Sequence, residues 1–259
     1  METLKENLDM LFNENTEDQT KNQDYKNNWK EYELPEKYFI LEMYNKQKEL
    51  QQFLAKKGKT SNFPSVQQNT VQSDVQLAIY HLFCMQVEYQ ELKHELEIIQ
   101  KYEQEENATK DWTDARFELI DMFFFMFNVG IYTGLDIMSV INTVEELDWA
   151  IPNLENWTDT TIISEAIDNI MNYIDKLPWK AWKEYDYSNF IWDNYSIKKS
   201  YAIALWKMIT WAKQRFNETD KSLFNLYMNK WEENRRRQED INSGYILSQE
   251  NSENPDINQ

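Results

Sequence analysis

The sequence predicts an all-α protein, and three observations carry the prediction. Only 4 glycines and 5 prolines occur among 259 residues, too few for the many tight turns of a β-sandwich or an α/β fold. An apolar stripe at helical spacing (Phe39, Ile40, Met43, Leu50 and Leu54) is readable early in the chain. Aromatic residues make up 15% of the sequence, with 10 Trp and 15 Tyr, enough bulk to fill a sizeable core.

Taken in order, residues 1–30 are polar and rich in Asn, Glu and Lys, and read as a loosely attached arm with one weak helix. A single domain is expected over 31–245. Its first helix falls between Pro35 and Gly58, with Pro near its start and Lys-Lys-Gly at its end. The loop "KTSNFPSVQQNTVQSD" follows, and Ser73 or Asp74 can cap a helix from Val75 to Tyr102. After the polar connection "EQEENATKDW", another helix is expected from Thr113 to Thr133, stopping at Gly134. Residues 141–220 read as a Trp-rich insertion or mobile region containing "LPWKAWKEYDYSNFIW". Further helices are expected near 197–214 and 221–240, and 246–259 read as a disordered tail by composition.

The formal charge of −18 argues against nucleic-acid and anionic-membrane partners, which need clustered Lys and Arg. One cysteine, Cys84, excludes an intramolecular disulfide and a cysteine-rich zinc site; its apolar neighbours suggest a buried small hydrophobe. Two histidines, His81 and His94, are too few for a histidine-built metal site. The N-terminus lacks a secretory pattern, and the most apolar segment, Met122 to Tyr132, falls far short of the ~20 residues of a bilayer crossing. A cytoplasmic protein is expected.

Two pairs of acids stand out. Glu88 and Glu91 in "VEYQELKHE" are three residues apart, as are Glu118 and Asp121 in "ELIDMFFFMFN". Residues at i and i+3 share a helix face, so each pair can direct both carboxylates to one spot. Two helices offering a pair each would build a four-carboxylate cup for a hard cation such as Mg²⁺. Taken alone, Glu88/Glu91 reads as a solvated helix face. Glu118/Asp121 is more telling, because Phe117, Leu119, Ile120, Met122, Phe123, Phe124 and Phe125 leave little of that helix polar, and buried unpaired carboxylates are costly.

This arrangement resembles the all-α NTP pyrophosphatases, the superfamily of the MazG-like enzymes and the dimeric dUTPases. The resembling features are E-x-x-E, then E-x-x-D about thirty residues on, with Asn128 beyond it. The C-terminal "YMNKWEENRRRQEDINSGY" is similar to the dimeric dUTPase signature through Lys230, Asn234, Arg237, Gln238, Gly244 and Tyr245. The segment "LEMYNKQKELQQFL" resembles that family's opening motif through Gln47 and Leu50, with Gln51 where Asn or Asp is more frequent. His94, Glu97, Gln100 and Phe124 depart from the family pattern.

The resemblance implies a helical bundle of the all-α NTP pyrophosphatase type, acting as a homodimer that hydrolyses dUTP to dUMP and diphosphate. It implies two or three Mg²⁺ ions on Glu88, Glu91, Glu118 and Asp121, with Glu88 also activating the water. Gln47 would select uracil, Phe125 would lie beneath the deoxyribose, and Lys230, Arg237 and Tyr245 would grip the phosphates, with Asn128 and Asn234 completing the substrate site. The region around Trp179 and Trp182 reads as a segment closing on substrate or as core. Two alternatives stay open: a pyrophosphatase acting on dCTP or several nucleotides, and a non-catalytic helical interaction protein.

Overall fold

The computed structural model describes residues 36–56, 71–102, 112–148, 159–177 and 195–239, all within the unit Leu34–Gln259. They form seven helices and, among the described residues, no strand: α1 (Glu36–Lys56), α2 (Val71–Tyr102), α3 (Thr113–Tyr132), α4 (Ile137–Asp148), α5 (Asp159–Asp175), α6 (Tyr195–Phe216) and α7 (Asp220–Glu239). The all-α expectation holds. The N-terminal arm, the tail, Tyr245, Trp179 and Trp182 lie outside the described residues.

The helix ends follow from their residues. At the end of α3, Gly134 adopts φ 66°. Its N–H donates to the Ile131 carbonyl at 3.2 Å and the Leu135 N–H to the Gly130 carbonyl at 2.9 Å. This pair of bonds closes a helix on a left-handed residue, which glycine adopts without a Cβ penalty. Asp136 then caps α4, its Oδ1 accepting from the Met138 N–H at 3.1 Å. The N-terminus of α7 is held reciprocally. The Thr219 Oγ1 accepts from the Ser222 N–H at 3.1 Å, and the Ser222 Oγ accepts from the Thr219 N–H at 2.7 Å. One correction concerns α2: it begins a turn before Val75, so Ser73 and Asp74 lie inside the helix rather than capping it.

Helix α3 is the hub. It packs most extensively on α2 and also meets α1 and α7. Leu119, Ile120, Met122, Phe123, Met126, Phe127 and Val129 are fully buried, as the nearly continuous apolar surface of this helix requires. Among the described residues of 141–220, α4 and α5 each pack on α6, and α5 also packs on α2. Ile162, Ile163, Ala166, Ile170 and Tyr173 are buried along one side of α5, and Trp206 and Trp211 are buried on α6. Cys84 is half-buried rather than buried, with its thiol hydrogen-bonded to the Tyr80 hydroxyl.

Candidate metal centre

Helices α2 and α3 run in opposite senses. His81 of α2 lies against Phe125 and Tyr132 of α3, whereas Glu88, two turns later on α2, meets Glu118 and Asp121, earlier on α3. Antiparallel packing therefore brings the two sequence-predicted acid pairs to the same level. Glu88, Glu118 and Asp121 are each half-buried and offer carboxylate oxygens that all lie within 4.8 Å of one another. Glu91 is exposed and stands outside this group, though its charge acts on all three. The expected cup of four is thus a cluster of three with Glu91 at its rim. The reason is angular: a three-residue step turns about 60° away around the helix, so α2 aims Glu88 at α3 and leaves Glu91 facing outward.

Crowding shows in the proton affinities. Burial, then the charges of Asp121 and Glu91, push the Glu88 carboxyl up to about 8. A hydrogen bond between Glu88 and Glu118 adds to that rise and opposes the rise that burial causes in Glu118, as expected when two carboxyls share one proton. Asp121 is also raised by burial, even though Lys230 and Arg237 pull it down. Three desolvated oxygen donors with too little positive charge around them suit a hard divalent cation, which takes oxygen ligands and neutralises them.

The C-terminal helix completes the site. Lys230 of α7 places its Nζ 2.9 Å from Asp121 Oδ2, with its side chain 14% exposed. The same ammonium sits 5.0 Å from the centre of the Phe117 ring, one turn before Asp121. Arg237, two turns further along α7, is close enough to lower the Asp121 proton affinity and pairs with Glu233. Asn234 is half-buried on the same helix. Lys230 and Arg237 therefore share the acid cluster's neighbourhood, but Lys230 is engaged with a carboxylate.

Gln47, expected to select the base, and Asn128, expected in the substrate site, lie in the interior. Gln47 and Asn128 are each 2% exposed and belong to a directed hydrogen-bond chain. The Tyr227 hydroxyl donates to Gln47 Oε1 at 3.3 Å, Gln47 Nε2 donates to Asn128 Oδ1 at 2.8 Å, and Asn128 Nδ2 donates to His81 Nδ1 at 3.4 Å. His81 closes the chain as an acceptor and is therefore neutral, in keeping with burial that drops its pKa to about 4. Its ring lies parallel to Tyr132 at 5.2 Å and stacks with Phe125 at 5.9 Å. Gln47 thus spends its carbonyl and one N–H on the interior. Sequence reasoning passed over His81 and Tyr227 as site neighbours; the signal was the burial of His81 between two aromatic residues of another helix, which no local spacing reveals.

No family model, curated protein or solved structure matches this chain.

Proposed function

We propose that the chain is a Mg²⁺-dependent nucleoside triphosphate pyrophosphohydrolase whose substrate is dUTP. The observation that carries this reading is the convergence of Glu88, Glu118 and Asp121 from two antiparallel helices, faced by Lys230 and Arg237 of a third. Carboxylates for a cation and basic side chains for a polyphosphate are what transfer of a phosphoryl or nucleotidyl group requires.

The roles divide as follows. Glu88, Glu118 and Asp121 would hold Mg²⁺, with Glu91 adding charge at the rim. Bound there, Mg²⁺ supplies shielding of the phosphate charge and acidifies water. Glu88 would also accept a proton from water, the role the resemblance implies. Lys230 and Arg237 would bind the outer phosphates, Arg237 with the paired donors of a guanidinium. Phe125, half-buried beside His81, offers an apolar ring for the sugar. Assembly as a homodimer belongs to this reading through the resemblance.

A second reading, hydrolysis of dCTP or several nucleotides by the same centre, is favoured by the state of Gln47. An amide bonded to Tyr227 and Asn128 at 2% exposure reads uracil only after it leaves that network. Pyrophosphate release from dUTP, dCTP, dTTP and UTP, each with Mg²⁺ and with EDTA, separates the two. Release confined to dUTP supports the first reading, broad release the second. No release from any of the four refutes both and returns the chain to the class of helical interaction proteins.

A further inference from the structure

The lysine of the site faces two demands that it cannot meet at once. Phosphate binding needs its ammonium turned toward a substrate, yet Lys230 Nζ lies 2.9 Å from Asp121 Oδ2 and 5.0 Å from the Phe117 ring centre. Phe117 and Asp121 are one turn apart on α3, so the lysine stem runs along this face and the head meets both an anion and a π-face. Both contacts favour a cation. At 14% side-chain exposure, the ammonium stands beside the acid cluster.

Building on the metal-centre reading above, we propose that Lys230 is an internal counter-ion that holds Asp121 in the metal-free protein and changes partner when a divalent cation binds. Glu88 and Glu118 bring their oxygens within 4.8 Å of Asp121, so a cation seated among them sits within a few ångströms of the ammonium. Repulsion between a divalent ion and an ammonium ~4 Å apart exceeds a tenfold change in affinity even at the dielectric of water. The lysine's four-carbon stem allows the head to swing without moving the helix. Once released, it is placed beside the cation, where the phosphate of a nucleotide arrives. The empty centre is thereby held together against its own repulsion, and the phosphate-binding group becomes free only after the cation is in place.

The opposite arrangement is chemically reasonable and gives the opposite sign. A carboxylate has lone pairs enough to accept from Lys230 on one oxygen and ligate through the other. Lys230 would then orient a metal ligand, and removing it would weaken binding.

The test is a Mn²⁺ titration followed by electron paramagnetic resonance, without nucleotide, on the full chain and on Lys230→Met, Lys230→Gln and Lys230→Arg, with far-UV circular dichroism to establish folding. The proposal predicts ~10-fold tighter Mn²⁺ binding by the two neutral variants and wild-type binding by Lys230→Arg. Equal or weaker binding by the neutral variants overturns the counter-ion role and leaves the metal centre standing. Absence of binding in every protein overturns the metal centre and the counter-ion role together. A readout without substitution guards against variants that do not fold: acetylation of Lys230, followed by mass spectrometry, should rise at least severalfold when Mg²⁺ is added to the wild type. Unchanged reactivity under saturating Mg²⁺ overturns the proposal.

Discussion

Replacing Glu118 by glutamine should make the metal-free protein more stable at high pH. In the folded state the Glu88 carboxyl is raised from 4.5 to about 8. Between those values the folded protein holds a proton that the unfolded chain has lost, so stability falls as pH rises through this window and levels off above about 8. Above the window Glu88, Glu118 and Asp121 are all ionised, with oxygens within 4.8 Å. Two unit charges at that separation repel by about 0.9 kcal/mol in bulk water and about 3.5 kcal/mol at an effective dielectric of 20. The carboxylates are only half-buried, so solvent screening places the relief at about 1–2 kcal/mol, or roughly 2–8 °C in melting temperature. As pH falls and Glu88 takes up its proton the advantage shrinks, because its hydrogen bond to Glu118 weakens when the partner becomes a neutral amide. The assay is thermal unfolding of Glu118→Gln and wild type in EDTA from pH 5 to 9. A difference that fails to grow with pH, or that grows in favour of the wild type, refutes the account of the acid cluster.

Four further outcomes are expected. Stabilisation by Mg²⁺ should be larger at pH 8.5 than at pH 6, since the cation displaces the proton held by Glu88; a pH-independent melting shift contradicts this. Asn128→Ala should cost about 1–3 kcal/mol in urea unfolding, because Gln47 Nε2 loses its 2.8 Å acceptor in the interior. Replacing Gln47 and Asn128 together by leucine should cost less than the two single changes added, since neither amide is left facing the lost partner of the other; strict additivity would show that the pair does not act as a unit. Gly130→Ala should destabilise by about 1–3 kcal/mol despite its better helix propensity. A Cβ there meets Tyr201 Oη and Tyr44 Cε2, each at 3.1 Å. Both rings are tied, Tyr201 to the Met126 carbonyl at 2.8 Å and Tyr44 to the Leu135 carbonyl at 3.2 Å. A neutral or stabilising Ala would mean that the rings give way freely.

Local spacing carried much of the fold and part of the site. The end of α3 at Gly134 was legible because a glycine after a long apolar run is the residue that adopts φ 66° there. The convergence of Glu88 with Glu118 and Asp121 was anticipated because i, i+3 pairs on neighbouring helices have few ways to face each other. Helix α5 was not picked out, although Ile162, Ala166, Ile170 and Tyr173 recur at helical spacing. The tryptophans around it drew the reading toward an insertion, and its β-branched isoleucines are weak helix formers whose packing decides the outcome. What spacing does not encode is the rotation of one helix against another. That rotation leaves Glu91 exposed, buries Gln47 and Asn128 against Tyr227 and His81, and brings Lys230 to Asp121 across 109 positions of sequence.

As proposed, this acid cluster, with its facing lysine and arginine, cleaves a nucleoside triphosphate with release of pyrophosphate. The most direct measurement is pyrophosphate release from dUTP by wild type and Glu118→Gln, each with Mg²⁺ and with EDTA. The account predicts release by the wild type with Mg²⁺ alone, and a loss of at least about 100-fold in Glu118→Gln with its fold intact. Equal turnover by the two proteins, or turnover that persists in EDTA, would contradict it.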